Sequence, residues 1–192
     1  IDACQHGVER VHLIPLETRG SLVLELFTHQ GGGLMITKDP AEIIRDATID
    51  DIAGILRIIE PLEQRGTLVR RDRQKLEQEI DQFIVIEHDH TLLGCVALYP
   101  SEDQPHMAEL ACFAVHPDHH HDGYGDRLLS VAIDKCRRRG ITQLFVLTTQ
   151  TAHWFIEHGF VPASIDMLPS SKRALYNWQR ASKVFVYTVE AN

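Results

Sequence analysis

Seven residues, His116-Pro117-Asp118-His119-His120-His121-Asp122, separate an apolar run ending at Val115 from the tripeptide Gly123-Tyr124-Gly125 and a helical pattern behind it. Three kinds of chemistry suit such a hand-over. Backbone amides at the start of a helix, approached closely through glycines, can hold a phosphate group. Histidines can ligate a metal, although a structural site needs ligands converging from more than one element, and His116, His119, His120 and His121 are loop neighbours. The segment can also be a plain turn. No Gly-Lys-Ser/Thr follows the glycines, which excludes nucleotide binding of the Walker type. No metal is expected.

A loop of this kind needs a strand before it and a helix after it, and the apolar pattern supplies both. "HMAELACFAVHP" reads as a strand, and 123–139 as a helix stopped by Gly140. Upstream, "EIIRDA" is a strand. In "TIDDIAGILRIIEPLEQRG", Ile52, Ile55, Leu56 and Ile59 recur at helical spacing, and Thr48 and Asp51 stand at capping-box spacing with an acid in place of the usual Glu or Gln. "RDRQKLEQEIDQ" is a second helix capped by Asp72, and "FIVIEHDHTLLGCVALYP" is a hairpin turning at Asp89 and His90. Downstream come a strand ("TQLFVLTT"), a short helix ended by Gly159 ("TAHWFIEHG") and a last strand ("KVFVYTVE"). The sum is an α/β chain of mixed, α+β type: a mainly antiparallel sheet flanked by helices. Ahead of it, 8–16 and 21–27 read as short strands, and "THQGGGLMITKDP" breaks the pattern. That places a boundary near residue 40, with 1–40 as the tail of a preceding domain, since two strands bury no core alone, and 41–192 as the main domain. The chain begins at Ile1 and its first methionine is Met35, as expected of a piece of a longer product.

Composition removes several function classes. A formal net charge of −8 argues against nucleic acid as the main partner. No stretch of about 18 apolar residues suggests a membrane span, and no secretory leader is visible. The four cysteines show no CxxC pair and no zinc spacing, which points to a reducing cytoplasm. Local basic knots (Arg70, Arg71 and Arg73; Lys172 and Arg173; Arg180 and Lys183) suit a small anion.

The stretch "AELACFAVHPDHHHDGYGDRLL" resembles the acetyl-CoA-binding motif of the GNAT N-acetyltransferases, Gln/Arg-x-x-Gly-x-Gly/Ala after the fourth strand of that fold. Gly123 and Gly125 match its glycines, while His120 stands where Arg or Gln is usual. Within that family, "ATIDDIAGILRIIEPLEQRGTLVRR", "FVLTTQTAHWFIEHGFVP" and "LPSSKRALYNWQRASKVF" are similar to the C-terminal domain of the bacterial N-acetylglutamate synthases, and the leading segment resembles the end of their amino-acid-kinase-like domain. The resemblance implies the GNAT acyl-CoA N-acyltransferase fold, acetyl-CoA as co-substrate, L-glutamate as acceptor, a place at the start of arginine biosynthesis, and homo-oligomers made through the kinase-like domain. Other readings are a GNAT enzyme for another amine, or a regulatory or assembly module without turnover.

By that resemblance, backbone amides of Cys112, Phe113, Ala114 and Val115 would hold the pantetheine arm and polarise the thioester. His120, His121, Asp122, Gly123, Tyr124, Gly125 and Asp126 would carry the diphosphate. Glu109 is the candidate base: its neighbours in "MAELACFAV" are nearly all apolar, and a poorly solvated carboxylate accepts a proton readily. Many GNAT enzymes place a tyrosine acid where this chain has Phe155, which has no proton to give, so either Thr149, Thr151 or water serves instead or the thiolate leaves unassisted. Leu68, Arg70, Lys172, Arg173, Arg180 and Ser182 would line the acceptor pocket, arginine being suited to bidentate carboxylate pairing. Cys112 offers a rival, covalent acetyl-cysteine route, against which stands the habit of free cysteines to be buried packing residues.

Overall fold

The computed structural model describes residues 42–190 without interruption and, ahead of them, residues 3, 6, 8–15, 19–28 and 31–37. The chain divides into two compact units, 1–43 and 44–192; residue 40, the expected boundary, lies outside the described residues.

In the first unit, β1 (Arg10–Leu13) pairs antiparallel with β2 (Leu34–Thr37), Val11 opposite Ile36. The stretch expected only to interrupt the pattern therefore contributes a strand of its own. Between the two lies a further correction: 21–27, expected as a strand, is the helix α1 (Ser21–Phe27). Its Leu-Val-Leu-Glu-Leu alternation imitates a strand, but Leu and Glu are good helix formers. The helix also lets the Glu25 carboxylate collect the amides of Gly32 and Gly33 at 2.7 and 2.9 Å and His12 Nδ1 at 2.5 Å. A sequence window cannot see those partners.

The second unit carries a seven-stranded sheet in the order β3-β4-β5-β6-β7-β9-β8. Its strands are β3 (Glu42–Asp46), β4 (Phe83–His88), β5 (Thr91–Pro100), β6 (Met107–Val115), β7 (Gln143–Thr148), β8 (Val161–Ala163) and β9 (Lys183–Thr188). The β6/β7 pair is parallel, while β4/β5, β5/β6, β7/β9 and β8/β9 are antiparallel. The expected hairpin turns at Asp89 and His90, both left-handed (φ 47° and 61°) as a tight two-residue turn requires. Along β4 and β5 the pleat sorts side chains cleanly. Phe83, Val85, Cys95 and Ala97 face α2 (Ile52–Gln64), with its Ile52, Ile55, Ile58 and Ile59, and α3 (Arg73–Glu79), with its Leu76. Ile84, Ile86, Val96 and Leu98 face α4 (Tyr124–Arg138), with its Leu128, Leu129, Ala132 and Cys136. Each buried Val, Leu, Ile or Phe among them contributes about 1.5–3 kcal/mol. Gly94 lets α4 approach the sheet: a Cβ there would meet Leu128 Cδ1 at 2.9 Å and the Ala114 carbonyl at 3.0 Å.

Helix ends follow the expected chemistry. Asp72 accepts from the Lys75 amide, and Gly140 and Gly159 take φ 70° and 84° where α4 and α5 (Ala152–Glu157) stop. Two elements had no expectation: the edge strand β8, which contains Pro162, and the five-residue helix α6 (Ser170–Ala174). Both are too short to show a period, and proline is tolerated in a sheet at its edge.

Ahead of α2, Asp51 closes the capping box on the Thr48 amide at 2.7 Å and takes a two-pronged bond from Arg45 at 2.7 and 2.9 Å. Arg45 in turn reaches Glu87 on β4 at 2.6 Å. The Arg45 bonds, with the Thr48 amide, hold the Asp51 carboxyl below its usual range despite burial. A depressed folded value means that the stabilisation is present above the unfolded value near 4 and is lost as pH falls through the folded one. Asp51→Ala is expected to cost about 2 kcal/mol at pH 7. In denaturant melts the gap to the parent chain should shrink as pH falls below about 4; a gap independent of pH would contradict this account.

Candidate active site

The site begins where two strands part. β6 pairs with β7 only through Met107, Ala108 and Glu109, opposite Gln143, Leu144 and Phe145. Beyond Glu109, β6 keeps a partner on the β5 side alone, and there the register shifts between Cys95 and Ala97. This is a β-bulge, and Cys112 within it holds φ 48°, a strained value for a residue with a side chain. The wedge thus leaves Cys112, Phe113, Ala114 and Val115, the four residues expected to receive a pantetheine arm, without a strand neighbour on the β7 side.

At the far end of β6 the loop folds back on itself. The His116 amide donates to Leu93 O at 2.7 Å, Pro117–His119 forms a single 3-10 turn, and His119 Nδ1 lies 2.7 Å from Asp122 Oδ2. Gly123 then caps α4 at φ 74° with no side-chain cap, and Gly125 packs so closely that a Cβ would meet Trp154 at 3.2 Å. A fifteen-residue helix thereby starts without a side-chain cap, and the positive end of its dipole favours an anion there. Asp126, the acid in that turn, is drawn aside to His158 Nε2 at 2.7 Å. Tyr124 is buried, with the Arg127 guanidinium 5.9 Å over its ring. His120, expected to reach phosphate, directs Nε2 to Val115 O at 3.0 Å, so this ring tightens the loop; His121 is exposed. Among the described residues no group of three or more His, Cys, Asp or Glu is placed to hold a metal ion.

Beside the wedge lies a cleft of about 230 Å³. Of the residues expected there, Leu68, Lys172, Arg180 and Ser182 line it, together with Glu109 and Cys112. Arg70 and Arg173 do not. Arg70 is exposed, and Arg173 turns toward Asp166, 3.9 Å away. Arg71 takes the expected place: it lines the cleft, its guanidinium lies 5.9 Å over the Tyr99 ring, and its Nε is buried without a hydrogen-bond partner. The connection from α2 to α3 has no strand or helix period, so sequence spacing could not say which arginine turns inward. Burial opposes the Arg71 charge, yet the surrounding Cys112, Tyr99 and Glu109 raise it above the ordinary value. Arg180 is lowered by burial and by Arg71. It is aimed by a tight loop in which Asn177 Oδ1 accepts from the Gln179 and Arg180 amides at 3.0 and 3.1 Å, and its Nη2 donates to Thr67 O at 2.5 Å. Two guanidinium groups in one cleft repel each other and favour an anionic ligand.

Glu109, only 9% exposed, lies at the cleft floor. Its strand neighbours are nearly all apolar, as expected, but across the cleft Lys172 Nζ forms an ion pair with Oε2 and sits 5.8 Å over the Tyr99 ring. Thr149 Oγ1 is buried without a partner, whereas Thr151 Oγ1 bonds to Thr148 Oγ1 at 2.8 Å; neither threonine lines the cleft. Phe155 is buried among Phe113, Trp154 and Phe160.

Residues 49–160 match the acetyltransferase (GNAT) family. An amino-acid acetyltransferase of Yersinia pseudotuberculosis is 49% identical over 186 residues, 97% of this chain and 42% of that protein. Two crystal structures of N-acetylglutamate synthase from Neisseria gonorrhoeae are similar over 98% of this chain. One, complexed with coenzyme A and L-arginine, is 41% identical with a TM-score of 0.89 and is covered over 43% of its length. The other, complexed with coenzyme A and N-acetyl-glutamate, is 42% identical with a TM-score of 0.76 and is covered over 45%. The chain thus spans less than half the length of these relatives.

Burial pushes the Cys112 thiol up to about 11, partly offset by Arg71, which leaves roughly one thiolate in ten thousand at pH 7. In the native protein, alkylation of Cys112 by iodoacetamide, followed by mass spectrometry, is expected to rise about tenfold per pH unit to pH 10. A plateau below pH 9 would mark an activated thiolate and restore the covalent route.

Proposed function

The chain belongs to the acetyltransferase (GNAT) family, and from that premise we propose that it transfers the acetyl group of acetyl-CoA to the α-amine of L-glutamate, giving N-acetyl-L-glutamate and CoA. One observation carries this reading: a buried carboxylate, Glu109, sits at the parting of β6 and β7 inside a cleft that also holds Arg71, Lys172 and Arg180. Three cations around one acid are what a substrate with two carboxylates and one reactive amine requires. The amino-acid acetyltransferase and N-acetylglutamate synthase relatives support the same acceptor.

When bound, acetyl-CoA supplies an activated acyl carbon. The residues around it have separate tasks. First-turn amides of α4, at Tyr124, Gly125 and Asp126, hold the diphosphate, with His121, Asp122 and Gly123 forming the rim. Amides between Cys112 and Val115 polarise the thioester carbonyl. Arg71 and Arg180 bind the acceptor's carboxylates, with Leu68 and Ser182 beside them. Lys172 changes partner on substrate binding, from Glu109 to a substrate carboxylate, and this frees Glu109 to take the proton from the amine. Attack is direct, without an acyl-cysteine. The CoA sulfur leaves as the thiolate and takes its proton from water, directly or relayed through the hydroxyl of Thr149 or Thr151.

The leading residues, 1–40, are the end of an amino-acid-kinase-like domain, and homo-oligomers form through the rest of that domain. The free thiols of Cys95, Cys112 and Cys136 suit a reducing cytoplasm. No helix among the described residues is long and apolar enough to cross a membrane.

Release of CoA thiol on adding L-glutamate, compared with aspartate, lysine and a peptide N-terminus, tests the reading. Glutamate should be the best acceptor, and turnover with another amine but not glutamate would overturn it. Glu109→Gln should lower kcat by about 10²–10⁴ while acetyl-CoA binding is unchanged. Arg71→Ala should raise the glutamate KM by about 10–100-fold through a lost charge-assisted pair, with no change in the acetyl-CoA KM. Equal effects on both substrates would remove Arg71 from the acceptor site.

A further inference from the structure

We propose that Asp103 is a positioning residue for this cleft: it clasps the start of α6 and so holds Lys172 opposite Glu109. The proposal rests on the acceptor reading above for its kinetic consequence, but not for its geometry.

The long excursion between β8 and β9 supplies Lys172, Tyr176, Arg180 and Ser182 to the cleft. The helix in it, α6, has five residues, far too few to be stable alone, and its N-cap residue is Pro169, which has no side-chain acceptor. A carboxylate from another element does that work. Asp103 lies in the turn between β5 and β6, and its Oδ2 accepts from Ser170 Oγ and from the Ser171 amide at 3.2 Å. Its Oδ1 accepts from Ser171 Oγ at 3.0 Å and from Ser101 Oγ at 2.7 Å, which steadies it from its own side. Lys172 is the next residue of α6.

The place of the clasp gives it its meaning. Asp103 is carried by the same antiparallel hairpin that carries Glu109, directly opposite Tyr99. Clasp, ion-pair partner and the ring under Lys172 therefore belong to one rigid piece, and α6 docks on it at three points. The Ser170 and Ser101 hydroxyls hold the Asp103 carboxyl far below the usual carboxylate range, so the clasp stays charged at any working pH. Asp103 itself is exposed. Bonds at such a site contribute little to global stability. Their loss therefore loosens α6 without unfolding the sheet.

Four variants test this: Asp103→Ala, Asp103→Asn, Lys172→Met and the double variant Asp103→Ala with Lys172→Met. The first readout needs no substrate: the rate at which an amine-acylating reagent labels Lys172, followed by mass spectrometry. Asp103→Ala should raise it severalfold, and Asp103→Asn, which keeps one acceptor oxygen, should fall between. In turnover, Asp103→Ala should raise the glutamate KM about tenfold and leave the acetyl-CoA KM unchanged, and adding it to Lys172→Met should change little more, as expected when one residue acts through another. Labelling equal to the parent chain, or KM effects that multiply in the double variant, would overturn the proposal. If Asp103→Ala does not fold, Asp103→Asn and a Ser170→Ala, Ser171→Ala pair carry the same test. A parent chain that turns over no glutamate would sink the acceptor reading while the labelling rates still judge the clasp.

Discussion

Pairing between β6 and β7 ends after Glu109, and the chemistry of the second unit is arranged around the wedge that results. A strand that loses its neighbour leaves backbone donors and acceptors that must find partners elsewhere. Here the chain makes the parting permanent. The bulge turns β6 away, and Cys112 is held at a positive φ, a strain of about 1–3 kcal/mol that only firm surroundings can impose. Those surroundings are the packed layer of Phe83, Val85, Cys95 and Ala97 under α2. Cys112 is part of that layer, and its elevated thiol agrees with a packing role.

From that wedge the strand direction does the rest. Glu109, at the last paired position, lines the cleft, and six residues later the strand ends at the loop before α4. At about 3.3 Å per residue the two ends stand some 20 Å apart. One strand thus measures the distance between an amide-lined helix end and a buried acid. The α4 helix is locked to the sheet by Gly94, and Trp154 rests on Gly125 while stacking on His158, whose ring holds Asp126 clear of the helix end.

The cleft is electrostatically unbalanced by design of its packing. Arg71 and Lys172 both lie over Tyr99, and Arg180 is pressed down by burial and by Arg71. Glu109 offsets one of these charges. A ligand with two carboxylates would balance the others and release Glu109 from Lys172, so binding and the creation of a base become one event.

Local pattern made much of the second unit legible in sequence. Short apolar runs marked β4 to β7 and β9, helical spacing marked α2 and α4, and Thr48, Asp72, Gly140 and Gly159 marked helix ends, because each of these signals is made by residues within a few positions of one another. The turn at Gly123 and Gly125 before α4 and the apolar strand around Glu109 were legible for the same reason. What sequence could not decide were contacts between distant segments. Arg71 rather than Arg70 faces the cleft because the coil between α2 and α3 has no period; Lys172 reaches Glu109 because α6 docks on a hairpin 67 positions away, through Asp103; and α1 is a helix because Glu25 finds amides outside its own window. Side-chain type and local spacing are fixed by the chain itself, whereas the direction a side chain takes in an aperiodic segment is fixed only by what packs against it.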